Sequence, residues 1–366
     1  MVDQRVDKLA RVLARYSLKL KQGDLFRILS TPAATPLTVA LYREALLCGA
    51  NPYVALALEE IEETLYRHGT DEQISFLTPM QRMETDAIDA TIRIIGSENT
   101  KSLSGADPAK VALRRQTLRE TQAKVMQRAA ENSLSWCVTL YPTNAAAQDA
   151  EMSLADYAEF VFRAGKLHYD DPVAAWEQTR SEQQRIVEYL NTRSVIRVVA
   201  PDTDLTYYTK RRPWENCAGD KNFPDGEVFS SCDETLTEGY IRYSFPAVYS
   251  GREVEDIRLT FERGVVTKAT AAKGEELLHS LLDMDEGARR LGEVAFGTNY
   301  DITHFSRNIL FDEKIGGTIH LALGAGYPET GSQNRSALHW DMLCDMRDGT
   351  AYADGEIFYQ HGKFVI

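Results

Sequence analysis

Five polar residues stand where a soluble fold has no routine need of them. His339 and Asp341 lie in Leu338-His339-Trp340-Asp341-Met342. In a strand, residues i and i+2 project from one face, so this imidazole and carboxylate would point together out of an apolar segment. Such a pair is half of a borderline-hard cation site, although a buried His–Asp hydrogen bond would use the same groups. His320 interrupts the apolar run Thr318-Ile319-His320-Leu321-Ala322-Leu323-Gly324. A buried imidazole is costly unless bonded or ligated, and for His320 alone a core histidine satisfied by the backbone is the plainer reading. Glu227 follows Pro224-Asp225-Gly226 and enters Val228-Phe229, and Glu293 lies between Gly292 and Val294-Ala295-Phe296. Neither position suits a solvated face, although a carboxylate at a strand edge is common and each alone says little. Three carboxylates and two imidazoles together suit two divalent cations sharing a carboxylate or a water. The H-E-x-x-H zinc motif, the nucleophile elbow and the P-loop are absent from the sequence.

Strands must hold these residues, and the second half of the chain supplies strand patterns. It is turn-rich, with Pro224-Asp225-Gly226, Glu238-Gly239, Ser250-Gly251 and Arg263-Gly264. Ile257 to Phe261 and Val265 to Ala269 flank the Glu262-Arg263-Gly264 turn and predict a hairpin. One helix is expected there, from Gly274 to Leu291. The first half alternates instead. Val6, Leu9, Val12, Leu13 and Tyr16 give an amphipathic helix, and Leu25 to Leu29 a strand. Pro36 opens a helix that Gly49 can cap, and Tyr53 to Leu58 reads as a strand or a short helix. Ala90 to Ile95 and Val195 to Val199 read as strands, and Trp136 to Tyr141 is a further apolar run. Pro108 to Asn132, Ser153 to Phe162 and Pro172 to Asn191 read as helices. The fold class that follows is an α/β N-terminal domain with a parallel sheet over residues 1–200. A strand-rich α+β metal-binding catalytic domain follows over 201–366.

Composition narrows the partners. The chain has 366 residues, with 41 Lys and Arg against 54 Asp and Glu, a formal net charge of −13. That surface repels phosphate backbones and anionic lipid, so neither nucleic acid nor a membrane is an expected partner. No apolar stretch is long enough to span a bilayer, and the N-terminus lacks a signal-peptide pattern. The five cysteines are widely spaced with no C-x-x-C pair, which fits a reducing compartment, the cytoplasm.

The stretches NFPDGEVF, RRLGEVAFGTN, NILFDEKIGGTIHLALGAGYPE, NRSALHWDM and ADGEIFYQHGKFVI resemble the thermophilic aminopeptidase family. This is the group of dinuclear metallo-aminopeptidases that includes aminopeptidases T and S. Val199 to Leu205 is similar to that family's entry into its second domain. The likeness is dense from Asp202 to Ile366, and the first half matches mainly in its order of elements. The resemblance implies metal ligands at Glu227, Glu293, His320, His339 and Asp341, a further carboxylate at Glu313, and an active-site tyrosine at Tyr327. It implies two divalent cations per chain (Zn, Co or Mn), short peptide substrates and a homodimer. Glu293 would take the proton of a metal-held water with Glu227 as bridging ligand, or the two roles would be exchanged; Tyr327 would donate to the oxyanion. The loop between Tyr327 and His339 is shorter than in typical members and bears on specificity. Two rival readings stand beside this one. His320, His339 and Asp341 alone would satisfy the iron site of a ring-cleaving dioxygenase of dihydroxypyridine type, which resembles the family in its C-terminal region. A non-catalytic protein with structural metals is the other.

Overall fold

The computed structural model describes residues 3–249 and 251–366, so the expected Ser250-Gly251 turn lies partly outside the described residues. By chain contacts there are two units. The first runs to Val173 and takes in Gly219–Pro224; the second holds Ala174–Ala218 and Asp225–Ile366.

The first unit is built on a parallel sheet. Its strands are β1 (Leu25–Ser30), β2 (Asn51–Leu56), β3 (Ala90–Ile95) and β4 (Ser135–Leu140). The order is β2-β1-β3-β4, with the short strand Asn222–Phe223 beyond β4, and every pairing is parallel. Parallel neighbours need crossovers, which the helices Thr35–Leu47 and Pro108–Ala130 help supply. Phe26, Ile28, Ile92 and Ile94 are buried in this sheet. The ambiguous segment after Asn51 is strand, paired in register with β1.

In the second unit, an eight-stranded antiparallel sheet runs from Val265–Thr270 through Arg258–Glu262, Glu238–Arg242, Thr203–Tyr208, Val195–Ala200 and Thr350–Ala353 to the chain's end. The expected hairpin is there, with Arg263 and Gly264 both at positive φ. A five-stranded antiparallel sheet contains β5 (Glu215–Cys217), β6 (Glu227–Ser230), β7 (Leu291–Gly297), β8 (Thr318–Gly324) and β9 (His339–Asp345). Its order is β9-β8-β7-β6-β5. One core joins the two sheets: Ile196, Val198, Leu205 and Leu259 from the first meet Val228, Val294, Ile319 and Met342 from the second.

Two expectations differ from what is found. The sequence places the division at residue 200, whereas the Pro172–Asn191 helix groups almost wholly with the second unit. Gln183 explains why: its amide donates to the Cys217 and Glu227 carbonyls and accepts from Thr298. The helix expected over Gly274 to Leu291 ends at Leu282. Asp285 breaks it, because its carboxylate accepts from the Ala288 and Ala337 amides and from Ser336 Oγ. An aspartate so engaged favours a cap over a helix interior, and a 3₁₀ turn, Glu286–Arg289, follows.

Candidate metal centre

Every residue singled out on the strands lies on one face of the five-stranded sheet. Directly opposite residues of antiparallel strands share a face. Glu227 opposes Cys217 and Gly297; Phe229 and His320 both oppose Ala295. Ala322 opposes both Glu293 and Asp341, and Gly324 opposes His339. The other face carries Val228, Val294, Phe296, Ile319, Leu321, Leu323, Trp340 and Met342 into the core. Strict alternation therefore sends apolar side chains one way and ligand-type side chains the other. Ala295 and Ala322 make a low floor between the polar groups. One irregularity is needed: the β7–β8 register shifts between Leu291 and Glu293. This bulge lets Leu291 stay in the core while Glu293 joins the ligand face. Gly292 is required there, since a Cβ would lie 2.3 Å from the Gly324 carbonyl oxygen and 2.4 Å from that of Ala325.

Glu293 is the centre of the arrangement. Its Oε1 is 3.4 Å from His320 Nε2, and its Oε2 is 3.4 Å from His339 Nε2. Glu227 Oε2 stands 3.4 Å from His320 Nε2, and Asp341 Oδ2 stands 3.4 Å from His339 Nε2. Two groups whose donor atoms lie within 4.8 Å of one another result: Glu227–Glu293–His320 and Glu293–His339–Asp341. A third, Glu313–His320–Asp341, brings in the glutamate that follows the short helix Ile309–Asp312. His339 Nδ1 is 2.7 Å from the Ala325 carbonyl. As the donor in that bond, Nδ1 leaves Nε2 as the nitrogen that would offer a lone pair to a cation.

These donors fit a metal. Both ring nitrogens of His320, Glu227 Oε2 and Asp341 Oδ1 are buried without a hydrogen-bond partner among the described residues. Leaving them so is expensive, whereas imidazole and carboxylate donors converging on one space are what divalent cations take. The metal-free electrostatics follow. Burial pushes the Glu293 carboxyl up, but His320 and His339 outweigh it and bring it to about 2. Burial works against charge on both imidazoles, yet the carboxylates raise His320 to about 9 and His339 to about 12. Glu313 is pushed up to about 8, first by burial and then by Glu227 and Asp341 against the pull of Lys314.

Tyr327 is the exposed member, 41% accessible. Its ring meets His339 and Phe229 edge-on, at centroid distances of 5.3 and 5.5 Å. Burial first, then the charge of Glu293, Asp341 and Glu313, holds its phenol protonated well above the usual range. The loop that follows is tied down. Thr330 Oγ1 donates to the Tyr327 carbonyl, and Ser231 Oγ to that of Thr330. Asn334 Nδ2 donates to the Gly287 and Gly324 carbonyls and so orders the approach to β9. Arg212 pairs with Glu234 at 2.6 Å, and Glu234 accepts from the Gln333 amide.

The sequence reading missed Lys314. Its ammonium is buried against Glu227 Oε1 at 2.8 Å, in contact with Glu313, and 3.9 Å from Asp225. A signal was available: a lysine in FDEKIGG, next to Glu313 and about to enter a buried strand, has few ways to stay in water.

A family described as thermophilic metalloprotease (M29) matches residues 2–364. Aminopeptidase 2 of Geobacillus stearothermophilus is 28% identical, over 93% of this chain and 88% of its own length. Aminopeptidase T of Thermus thermophilus is 29% identical, over 89% of this chain and 86% of its own. The solved structure of wild-type AmpT from Thermus thermophilus superposes with a TM-score of 0.86 at 26% identity, covering 99% of both chains. A 2,5-dihydroxypyridine dioxygenase from Pseudomonas putida KT2440 shares the fold, with a TM-score of 0.57 at 14% identity over 98% of this chain and 96% of that one. From the ligand face of the sheet and the match along almost its whole length, the chain belongs to the thermophilic metalloprotease (M29) family.

Proposed function

We propose that this protein is a metal-dependent aminopeptidase that works with two divalent cations, Zn, Co or Mn. One is held by Glu227, Glu293 and His320, the other by Glu293, His339 and Asp341, with Glu313 beside them. The observation that carries this reading is that two ligand groups share one carboxylate, each Glu293 oxygen facing a different histidine. Bound there, such cations lower the pKa of a held water toward neutrality and polarise a peptide carbonyl.

The residues divide the remaining work. Glu293 is in reach of both cation positions, which favours it over Glu227 as the shared carboxylate. Tyr327, a protonated phenol at the accessible edge, donates to the oxyanion as the carbonyl carbon becomes tetrahedral. His320, His339 and Asp341 fix the cations, and a free α-amine on the substrate completes the site. This makes the enzyme an exopeptidase for short peptides. No helix among the described residues is long and apolar enough to cross a membrane. A homodimer in the cytoplasm completes the proposal, and light scattering on the purified protein tests the dimer.

The dioxygenase reading uses only His320, His339 and Asp341 and leaves the buried Glu227 and Glu293 without employment. Structural metals alone leave the accessible Tyr327 unexplained. The deciding assay strips the protein with chelator, restores Zn, Co or Mn, and follows amino acids released from unblocked and N-acetylated peptides. Stepwise metal-dependent release from unblocked peptides only is expected. No release from folded, metal-loaded protein overturns the proposal, and a single bound iron per chain would favour the dioxygenase.

A further inference from the structure

We infer that Lys314 is a positioning residue that restricts Glu227 to a single cation-facing oxygen. The inference rests on the two-cation reading above. The Lys314 side chain is 1% exposed. Taking an ammonium out of water is costly, and a centre meant for divalent cations gains nothing from another positive charge nearby unless that charge does something else. What it does is visible at Glu227. Oε1 is 2.8 Å from Lys314 Nζ, while Oε2 has no hydrogen-bond partner among the described residues and lies 3.4 Å from His320 Nε2. A carboxylate free to turn could offer both oxygens to one cation. With Lys314 on Oε1, only Oε2 is available.

Lys314 is itself fixed at both ends. Its amide donates to the Phe311 carbonyl, and its carbonyl accepts from the Asn299 amide. Asn299 Nδ2 in turn donates to the Asp225 carbonyl, and Asp225 faces the ammonium. Cys217, Asp225 and Glu227 approach one another as a further ligand-like group. The ammonium already meets both of its carboxylates, so Lys314 serves that group in place of a third cation.

The test counts cobalt per chain after loading and gel filtration, in wild type, Glu227→Gln and the double variant Lys314→Met with Glu227→Gln. In Glu227→Gln the lysine keeps the amide oxygen, because turning the NH₂ toward it would set donor against donor. The NH₂ then faces the cation position and cannot ligate, so content falls from about two per chain to about one. Removing Lys314 as well frees the amide to present its oxygen, and content rises again toward two. Lys314→Met alone keeps both cobalts but weakens their visible absorption, since Glu227 now gives both oxygens and the coordination number rises. Equal cobalt in Glu227→Gln and the double variant overturns the inference. Should Lys314→Met fail to fold, the double variant, which removes both members of a buried pair, decides alone. Wild type without cobalt would instead sink the two-cation reading.

Discussion

The two halves of the centre are held in different ways. Around His320 everything is buried: its side chain is 1% exposed and that of Glu227 is 7% exposed. Among the described residues no main-chain group bonds the His320 ring, and the Glu227 and Glu293 carboxylates stand 3.4 Å from it. Around His339 the side chain is 30% exposed, and the ring is anchored by the Ala325 carbonyl and flanked by Tyr327. One half is organised by ion pairing out of water, the other by the backbone at an open edge. The substrate must enter at the second. The first gains its order from electrostatics, so it should depend most on charge and metal.

Glu293 belongs to both halves, and replacing it should have the largest effect. Glu293→Gln removes the charge of the one carboxylate that both cations would share. Peptidase kcat should fall by about a thousandfold or more. A loss below tenfold would mean the halves do not meet at this residue. Tyr327→Phe acts on the open half alone. It should lower kcat by about a hundredfold while leaving metal content unchanged, as expected of a lost oxyanion donor. A fall in bound metal on elemental analysis would make Tyr327 a ligand instead.

The histidines separate the halves by stability. In metal-free protein, His320→Ala takes the buried imidazole from between Glu227 and Glu293 and leaves them only Lys314 and His339 as partners, which should cost about 3 kcal/mol. His339→Ala opens a partly solvated edge and should cost about 1 kcal/mol. Urea unfolding of both variants measures the difference, and equal losses would erase the distinction between a buried and an open half.

How much of this was readable beforehand depended on how local the cause was. His320, His339, Asp341, Glu227 and Glu293 each break an apolar strand pattern, so their types and period-two spacing announced a ligand face. β1 and β3 were legible from their own short apolar runs. The Gly274 to Leu291 helix was misread because Leu277, Leu278, Leu281 and Leu282 set a helical period that Ala288 and Leu291 continue for other reasons. What stops it is Asp285 reaching Ser336 and Ala337, partners far along the chain. The bulge at Gly292 is equally non-local, whereas the burial of Lys314 has a local signal in FDEKIGG. The grouping of the Pro172–Asn191 helix with the second unit depends on Gln183 meeting three distant groups, which no local pattern records.

The smallest effect lies at the base of the buried half. Asp312 precedes Glu313, and its Oδ1 accepts from the Ser306 amide at 2.6 Å and from Ser306 Oγ at 2.8 Å. Burial pushes its carboxyl up to about 7, against the pull of those bonds. Its ordinary value is 3.8, so between that pH and about 7 the folded protein holds a proton that the unfolded chain has lost. Stability therefore falls as pH rises through this window and levels off above it. Asp312→Asn keeps an oxygen for both Ser306 bonds and carries no charge. It should flatten this part of the pH dependence, matching wild type near pH 4 and melting higher than wild type near pH 8. Melting temperatures of the two proteins across that range give the comparison. A variant that melts lower at every pH would show that the turn needs the carboxylate's charge, and that even the base of the buried half is held by ion pairing rather than by hydrogen bonds.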